Sequence, residues 1–162
     1  MTDILRIFFI VLLLTTTLAA YFLVIGALFA NRVAKTQGVI TLTPGRSFGL
    51  GMVNFLFFGL TAFVLISVAD NTGSFVKGVL ILPALVILAF LTALLSLGLT
   101  GMVNVLGERL FSDMSLSKRN IWSAVILCFA CALPFVGWFL LLPYVGFVGI
   151  GASILGFFQR NS

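Results

Sequence analysis

This sequence predicts an all-α integral membrane protein of four to five membrane helices, and three observations carry that prediction. Of its 162 residues, 62% are apolar and 8% charged, where soluble domains carry about 25% charged residues. The mean hydropathy is +1.30, so lipid rather than water is the expected solvent. Finally, Ile121–Phe158 runs for 38 residues without a charged side chain and is punctuated by Pro134, Gly137 and Pro143. As one straight helix it would reach about 57 Å, nearly twice a ~30 Å hydrocarbon core, so it must bend, break or turn back. Residues 1–162 read as a single membrane domain with spans at about 7–30, 48–69, 79–106 and 121–133 plus 138–158.

The first span, from about Ile7 to Ala30, has Arg6 before it and Asn31, Arg32 and Lys35 after it. Its start is like a signal peptide, with small residues near Ala20, but the apolar run continues unbroken through Tyr21–Ala30 and Asp3 offsets Arg6. A retained membrane helix is expected. Thr15, Thr16 and Thr17 can return their hydroxyls to the backbone four residues earlier and need no other role.

The connection 31–47 is the longest polar one. Val39-Ile40-Thr41-Leu42-Thr43 alternates and is expected to be extended, with Pro44-Gly45 closing it in a turn. The second span closes on Asp70-Asn71-Thr72-Gly73. In the third, Pro83 falls near the first turn, where a missing N–H is tolerated. Connection 107–120 holds Glu108 and Asp113 beside Arg109, Lys118 and Arg119, and Ser115-Leu116-Ser117 offers a cap for the helix that follows. Trp122 sits where an interfacial aromatic belongs.

The last stretch, broken at Pro134–Gly137, has two readings. One is a single kinked span, 121–142, with an apolar tail along the membrane. The other is a hairpin, with a short arm 121–133, a turn at 134–137 and a full span 138–158. Connections 31–47 and 107–120 hold six Lys/Arg, while the N-terminus and the second connection hold Arg6 and Lys77. A hairpin puts Arg160 with the six, seven against two; a single span gives six against three. The positive-inside rule favours the hairpin, with the N-terminus outside and connections 31–47 and 107–120 in the cytoplasm.

Several chemistries lack their residues. There is no histidine, the usual ligand of membrane haem and of catalytic zinc. No span carries an internal Asp, Glu, Lys or Arg, which ion paths and proton relays need at membrane depth. There is no P-loop and no catalytic triad set. The net charge of +5 is scattered over connections and termini, which argues against nucleic acid. No enzyme, no cofactor and no metal are expected. Cys128 and Cys131 form a C-x-x-C inside an apolar run without a second pair, and read as packing residues.

Two polar residues lie well inside spans, Asn54 and Asn104. Each ends the same tetrapeptide, Gly51-Met52-Val53-Asn54 and Gly101-Met102-Val103-Asn104, but the match goes little further. Each asparagine is therefore read as an interhelical hydrogen bond rather than the mark of a duplication. Small residues recur at four-residue spacing at Gly45 and Gly49, Gly149 and Ser153, Ala152 and Gly156. With Gly146 and Gly151 they smooth one region of the last span, for internal packing or for docking another membrane protein. The ring-rich faces around Phe8, Phe9, Phe22, Phe55, Phe57 and Phe58 suit lipids, quinones or carotenoids equally.

Pro44-Gly45-Arg46-Ser47, then Leu106-Gly107-Glu108-Arg109-Leu110, then Leu133-Pro134-Phe135-Val136-Gly137-Trp138 and a glycine-rich end resemble a known arrangement. It is similar to the membrane-embedded C-terminal region of bacterial polymer-forming (bactofilin-type) and related small membrane proteins. The likeness spans about residues 44–158, lacks the β-helical polymerising domain, and carries over no functional residue. It implies a bacterial membrane module that scaffolds something else.

The expected role is a small non-catalytic subunit of the bacterial inner (cytoplasmic) membrane, stabilising a larger membrane complex such as a respiratory or photosynthetic electron-transfer assembly. Its expected partners are the lipid bilayer and other integral membrane subunits. The contrasting readings are a homo-oligomeric pore or transporter with Asn54 and Asn104 on its path, and a bactofilin-type scaffold module.

Overall fold

The structure, a computed structural model, describes residues 2–133 and 135–158. It contains six α-helices and one π-helical turn, with no strand among the described residues. Among the described residues, four helical stretches are long and apolar enough to cross a membrane: Phe8–Leu28, Pro44–Asp70, Ser74–Leu110 and Val136–Phe158.

Helix α1 (Thr2–Leu28) is followed after a single residue by α2 (Ala30–Leu42). Phe29, at φ −117° and ψ 35°, takes up the change of direction between them. The three threonines of α1 donate to Val11, Leu12 and Leu13 carbonyls at 2.7, 2.8 and 2.8 Å.

Helix α2 corrects the reading of 31–47 as an open connection with 39–43 extended. Val33, Thr36, Val39 and Ile40 are buried and fall on one side of a helix, spaced three, three and one. Val39 and Ile40 join Val105, Val148 and Ala152 in one apolar cluster, and that burial overrides the local strand alternation. The helix stops at Leu42 because Pro44 disfavours α geometry at the residue before it. Thr43 accordingly sits at φ −139° and ψ 60°.

Helix α3 (Pro44–Asp70) opens with that proline in its first turn, where no N–H partner is lost. Asn71–Gly73 reverses the chain into α4 (Ser74–Leu110), 37 residues long and so about 55 Å. An ion pair of 2.8 Å between Lys77 and Asp70 crosses the turn. Because α4 starts five residues before the expected span, Pro83 is its tenth residue, well inside the helix rather than in its first turn.

Helix α5 (Leu116–Ala132) begins at Ser115, whose side chain makes no cap hydrogen bond. The Ser115 carbonyl instead accepts the Arg119 N–H at 2.9 Å. Beyond α5 the chain reverses. Phe135 adopts φ 69°, a π turn covers Val136–Leu141, and α6 (Leu142–Phe158) continues from it. Gly137 is buried at the reversal, and a Cβ there would lie 2.5 Å from the Cys131 carbonyl oxygen and 2.6 Å from that of Ala130.

Pro134, expected to begin the break, lies outside the described residues, as does Arg160, on which the charge count turned. Pro143 corrects its expected role as a break. It is the second residue of α6, which runs on unbroken through it. A proline has no N–H for the carbonyl four residues back. The preceding π turn, with the Leu142 N–H bonded to the Gly137 oxygen, shifts the ladder by one residue just before it.

Two apolar clusters organise the interior. Ala19, Phe22, Val103, Ala124, Leu127 and Val145 join α1, α4, α5 and α6. The second joins α2, α4 and α6, so α4 and α6 belong to both.

Candidate functional site

The most closely built region is where α6 crosses the α3–α4 hairpin. A Cβ on Gly51 would lie 2.8 Å from the Gly151 nitrogen, and one on Gly151 would lie 2.8 Å from the Gly51 nitrogen. A Cβ on Gly149 would meet the Gly98 Cα at 3.0 Å. Backbone therefore touches backbone at both crossings, an approach that only residues without a side chain allow.

All six small residues singled out in the last span face this chain's own helices, Ala152 within the cluster that holds Val39, Ile40 and Val105. Gly149 meets α4 and Gly151 meets α3, while Gly156 lies against Lys35 and Thr36 of α2. Ser153 donates to the Leu94 carbonyl at 3.1 Å. A Cβ on Gly146, which is partly exposed, would sit 3.7 Å from a Leu95 methyl.

The partner glycines, Gly51 and Gly98, were not visible as such in the sequence. On α3 the expected pair was Gly45 and Gly49, and both face open space. The residues in contact are Ser47 and Gly51, two positions along and so on nearly the opposite face of a helix with 3.6 residues per turn. The same four-residue spacing at Ser47 and Gly51 was the available signal.

The polar ties also differ from expectation. Asn54 spends its amide on its own helix, donating to the Leu50 carbonyl at 2.8 Å. The buried Oδ1 of Asn104 has no hydrogen-bond partner. The two are not brought together. Since α3 and α4 run antiparallel and meet α6 at Gly51 and Gly98, Asn54 and Asn104 lie on opposite sides of that crossing. The ties between helices come from hydroxyls instead: Ser153 to Leu94, and Tyr21 Oη to Ser96 Oγ at 2.6 Å. Ser96 in turn donates to the Thr92 carbonyl, and Thr100 to that of Ser96.

Cavities lie between the helices among the described residues. One of about 370 Å³, almost wholly apolar, is lined by Phe22, Leu95, Leu99, Cys131, Leu142 and Val145 among others. Cys128 also lines it, and both cysteines are free thiols. A groove of about 670 Å³ between α1 and α4 carries Tyr21, Thr92 and Ser96 beside Phe29, Phe90 and Phe157. Arg32 stands 4.4 Å from the centre of the Phe157 ring, within cation–π range. Another, of about 270 Å³, opens beside Arg109 and Tyr144 at the end of α4. Among the described residues no group of three His, Cys, Asp or Glu is placed to hold a metal.

Charge is sorted by the hairpin. Arg46 near the start of α3 and Arg109 near the end of α4 share one end of the bundle; Lys77 and Asp70 occupy the other. At the basic end, Arg119 pairs with Glu108 at 3.6 Å.

The fold and its seams define a bundle of helices, four of its stretches long and apolar enough to cross a membrane, held by glycine contacts and hydroxyl ties. Compared with known proteins, the chain matches no family model, no curated protein and no solved structure.

Proposed function

We propose that this chain is a non-catalytic integral membrane subunit whose work is to pack against, and stabilise, a larger membrane complex. The observation that carries this reading is how its polar groups are spent. The polar residues buried as a whole among the described residues all carry hydroxyls: Thr15, Thr36, Ser47, Ser96, Thr100, Ser123 and Ser153. All but Thr36 donate to a backbone carbonyl. Hydroxyls committed in this way to backbone supply packing rather than a path for ions.

The outer surface supports the same reading. Phe8, Phe9, Leu12 and Leu13 on α1, and Val53, Phe57, Leu60 and Phe63 on α3, are exposed, faces suited to lipid or to a neighbouring subunit's helices. Arg46 and Arg109 at one end of the α3–α4 hairpin, with Lys118 at the start of α5, support by the positive-inside rule a cytoplasmic basic end and an outside N-terminus of α1. In this proposal the membrane is a bacterial cytoplasmic one, and the scaffold role implied by the bactofilin-type likeness is one form of this function.

Native mass spectrometry of the gently solubilised protein from its own membrane tests the proposal. Co-migrating chains of other masses support it. A small multiple of 17.5 kDa overturns it in favour of self-assembly, and with it the homo-oligomeric pore.

A further inference from the structure

The cavity of about 270 Å³ at the basic end has a floor and a rim of different chemistry. Its floor is apolar, made by Met102, Val105 and Leu106 of α4, Leu127 of α5, and Leu141 and Val145 beyond the reversal. Its rim carries the Arg109 guanidinium, the Tyr144 ring and Thr41. Arg109 is exposed and makes no ion pair among the described residues, because the neighbouring Glu108 is taken by Arg119 at 3.6 Å. The Thr41 hydroxyl donates to the Gly38 carbonyl at 2.9 Å, and the Tyr144 ring is held by stacking on Phe48 with centroids 5.9 Å apart.

We propose that this cleft is a binding site for an anionic phospholipid, the phosphate on Arg109 and the upper part of one acyl chain along Leu141, Leu106 and Val145. Charge complementarity selects the headgroup. Arg46, at the same end of the hairpin, and Lys118, eight residues beyond the end of α4 in sequence and in the first turn of α5, add to the positive field there, while the acidic groups on the adjoining elements are the paired Glu108 and Asp113, which accepts from Ser112 at 3.3 Å. A guanidinium is suited to the headgroup because it offers a planar fork of donors that matches phosphate oxygens. The apolar floor selects a lipid over a free anion, since a soluble phosphate would leave Met102, Val105 and Leu141 uncovered. The larger apolar cavity shares Leu127 and Val145 as lining residues and lies on the path a longer chain would follow. Basic pockets between membrane helices at the cytoplasmic surface take anionic headgroups on the same physical grounds.

The test titrates phosphatidylglycerol and, separately, phosphatidylcholine into the detergent-solubilised full chain and reads bound lipid by native mass spectrometry. Arg109→Gln is compared with Lys77→Gln, a charge removed at the opposite end, and with Arg109→Lys. Loss of one cationic contact worth about 1 kcal/mol corresponds to roughly fivefold weaker binding. The expected result is that loss for phosphatidylglycerol in R109Q, none in K77Q, at most about a twofold loss in R109K, and no change for phosphatidylcholine in any variant. Equal phosphatidylglycerol binding in R109Q, or an equal loss in K77Q, overturns the site in favour of diffuse attraction. Full displacement of the lipid by inorganic phosphate alone overturns the lipid in favour of a free anion.

Discussion

Gly51 and Gly151 pack backbone against backbone, each lying where a Cβ on the other would stand 2.8 Å from its nitrogen. Together with Gly98 and Gly149 they let α6 settle onto the α3–α4 hairpin at two points only two residues apart. In a bilayer no hydrophobic force draws helices together, so close approach and dispersion supply the association.

Gly51→Leu and Gly151→Leu are therefore expected to destabilise the protein by about 3 kcal/mol or more, at the upper end of overpacking costs, because the clash is with backbone that cannot repack. Gly45→Ala and Gly49→Ala, facing open space, are expected to change stability by less than about 0.5 kcal/mol. Unfolding by sodium dodecyl sulfate, followed by far-UV circular dichroism, measures both pairs.

Gly149→Leu has the same logic and a further use. Its side chain would enter the Gly98 contact of this chain, so the expected loss is of the protomer's own fold, seen as a lowered unfolding midpoint in the isolated protein. An unchanged midpoint with loss of a copurifying chain would instead place a partner on that face.

The reversal at Gly137 allows no side chain. Gly137→Ala puts a methyl 2.5 Å from the Cys131 carbonyl oxygen and is expected to cost about 1–3 kcal/mol. The same unfolding assay, with limited proteolysis at 133–137, checks it.

Hydroxyl ties are worth less. Ser153→Ala removes the bond to the Leu94 carbonyl and is expected to cost about 0.6 kcal/mol, with about 1.7 as the ceiling for such bonds in a membrane. A double-mutant cycle on Tyr21→Phe and Ser96→Ala should give a coupling of similar size for their 2.6 Å contact.

Asn104 is expected to behave in the opposite sense. Its Oδ1 is buried without a partner, a state that costs about 1–3 kcal/mol. Asn104→Leu should raise the unfolding midpoint of the isolated protein, whereas Asn54→Leu should leave it nearly unchanged, since the Asn54 amide serves only its own helix.

Much of the architecture could be read from residue order alone. Charge-free apolar runs longer than a bilayer's thickness, Asn71–Gly73 between two of them, and the Gly137 region within 121–158 identify helices, a tight reversal and a break, because backbone in hydrocarbon has few alternatives to a helix. The threonine back-bonds of α1 were equally local and equally legible. What a local pattern could not carry was the choice of neighbours. Thr36, Val39 and Ile40 look like part of a polar connection until α4 and α6 supply the surface that buries them, and the same surface turns 30–42 into a helix.

The sequence by itself determined that this chain forms helices long and apolar enough to cross a membrane, and that it has no histidine, since these follow from composition and from run lengths. Only the tertiary structure decided which glycines meet, that Ser47 and Gly51 rather than Gly45 and Gly49 face α6, and that Asn54 turns back on its own helix. The reason is geometric. A smooth face is a property of one helix, but a contact belongs to two, and a shift of two residues along α3 turns the side chain to nearly the opposite face.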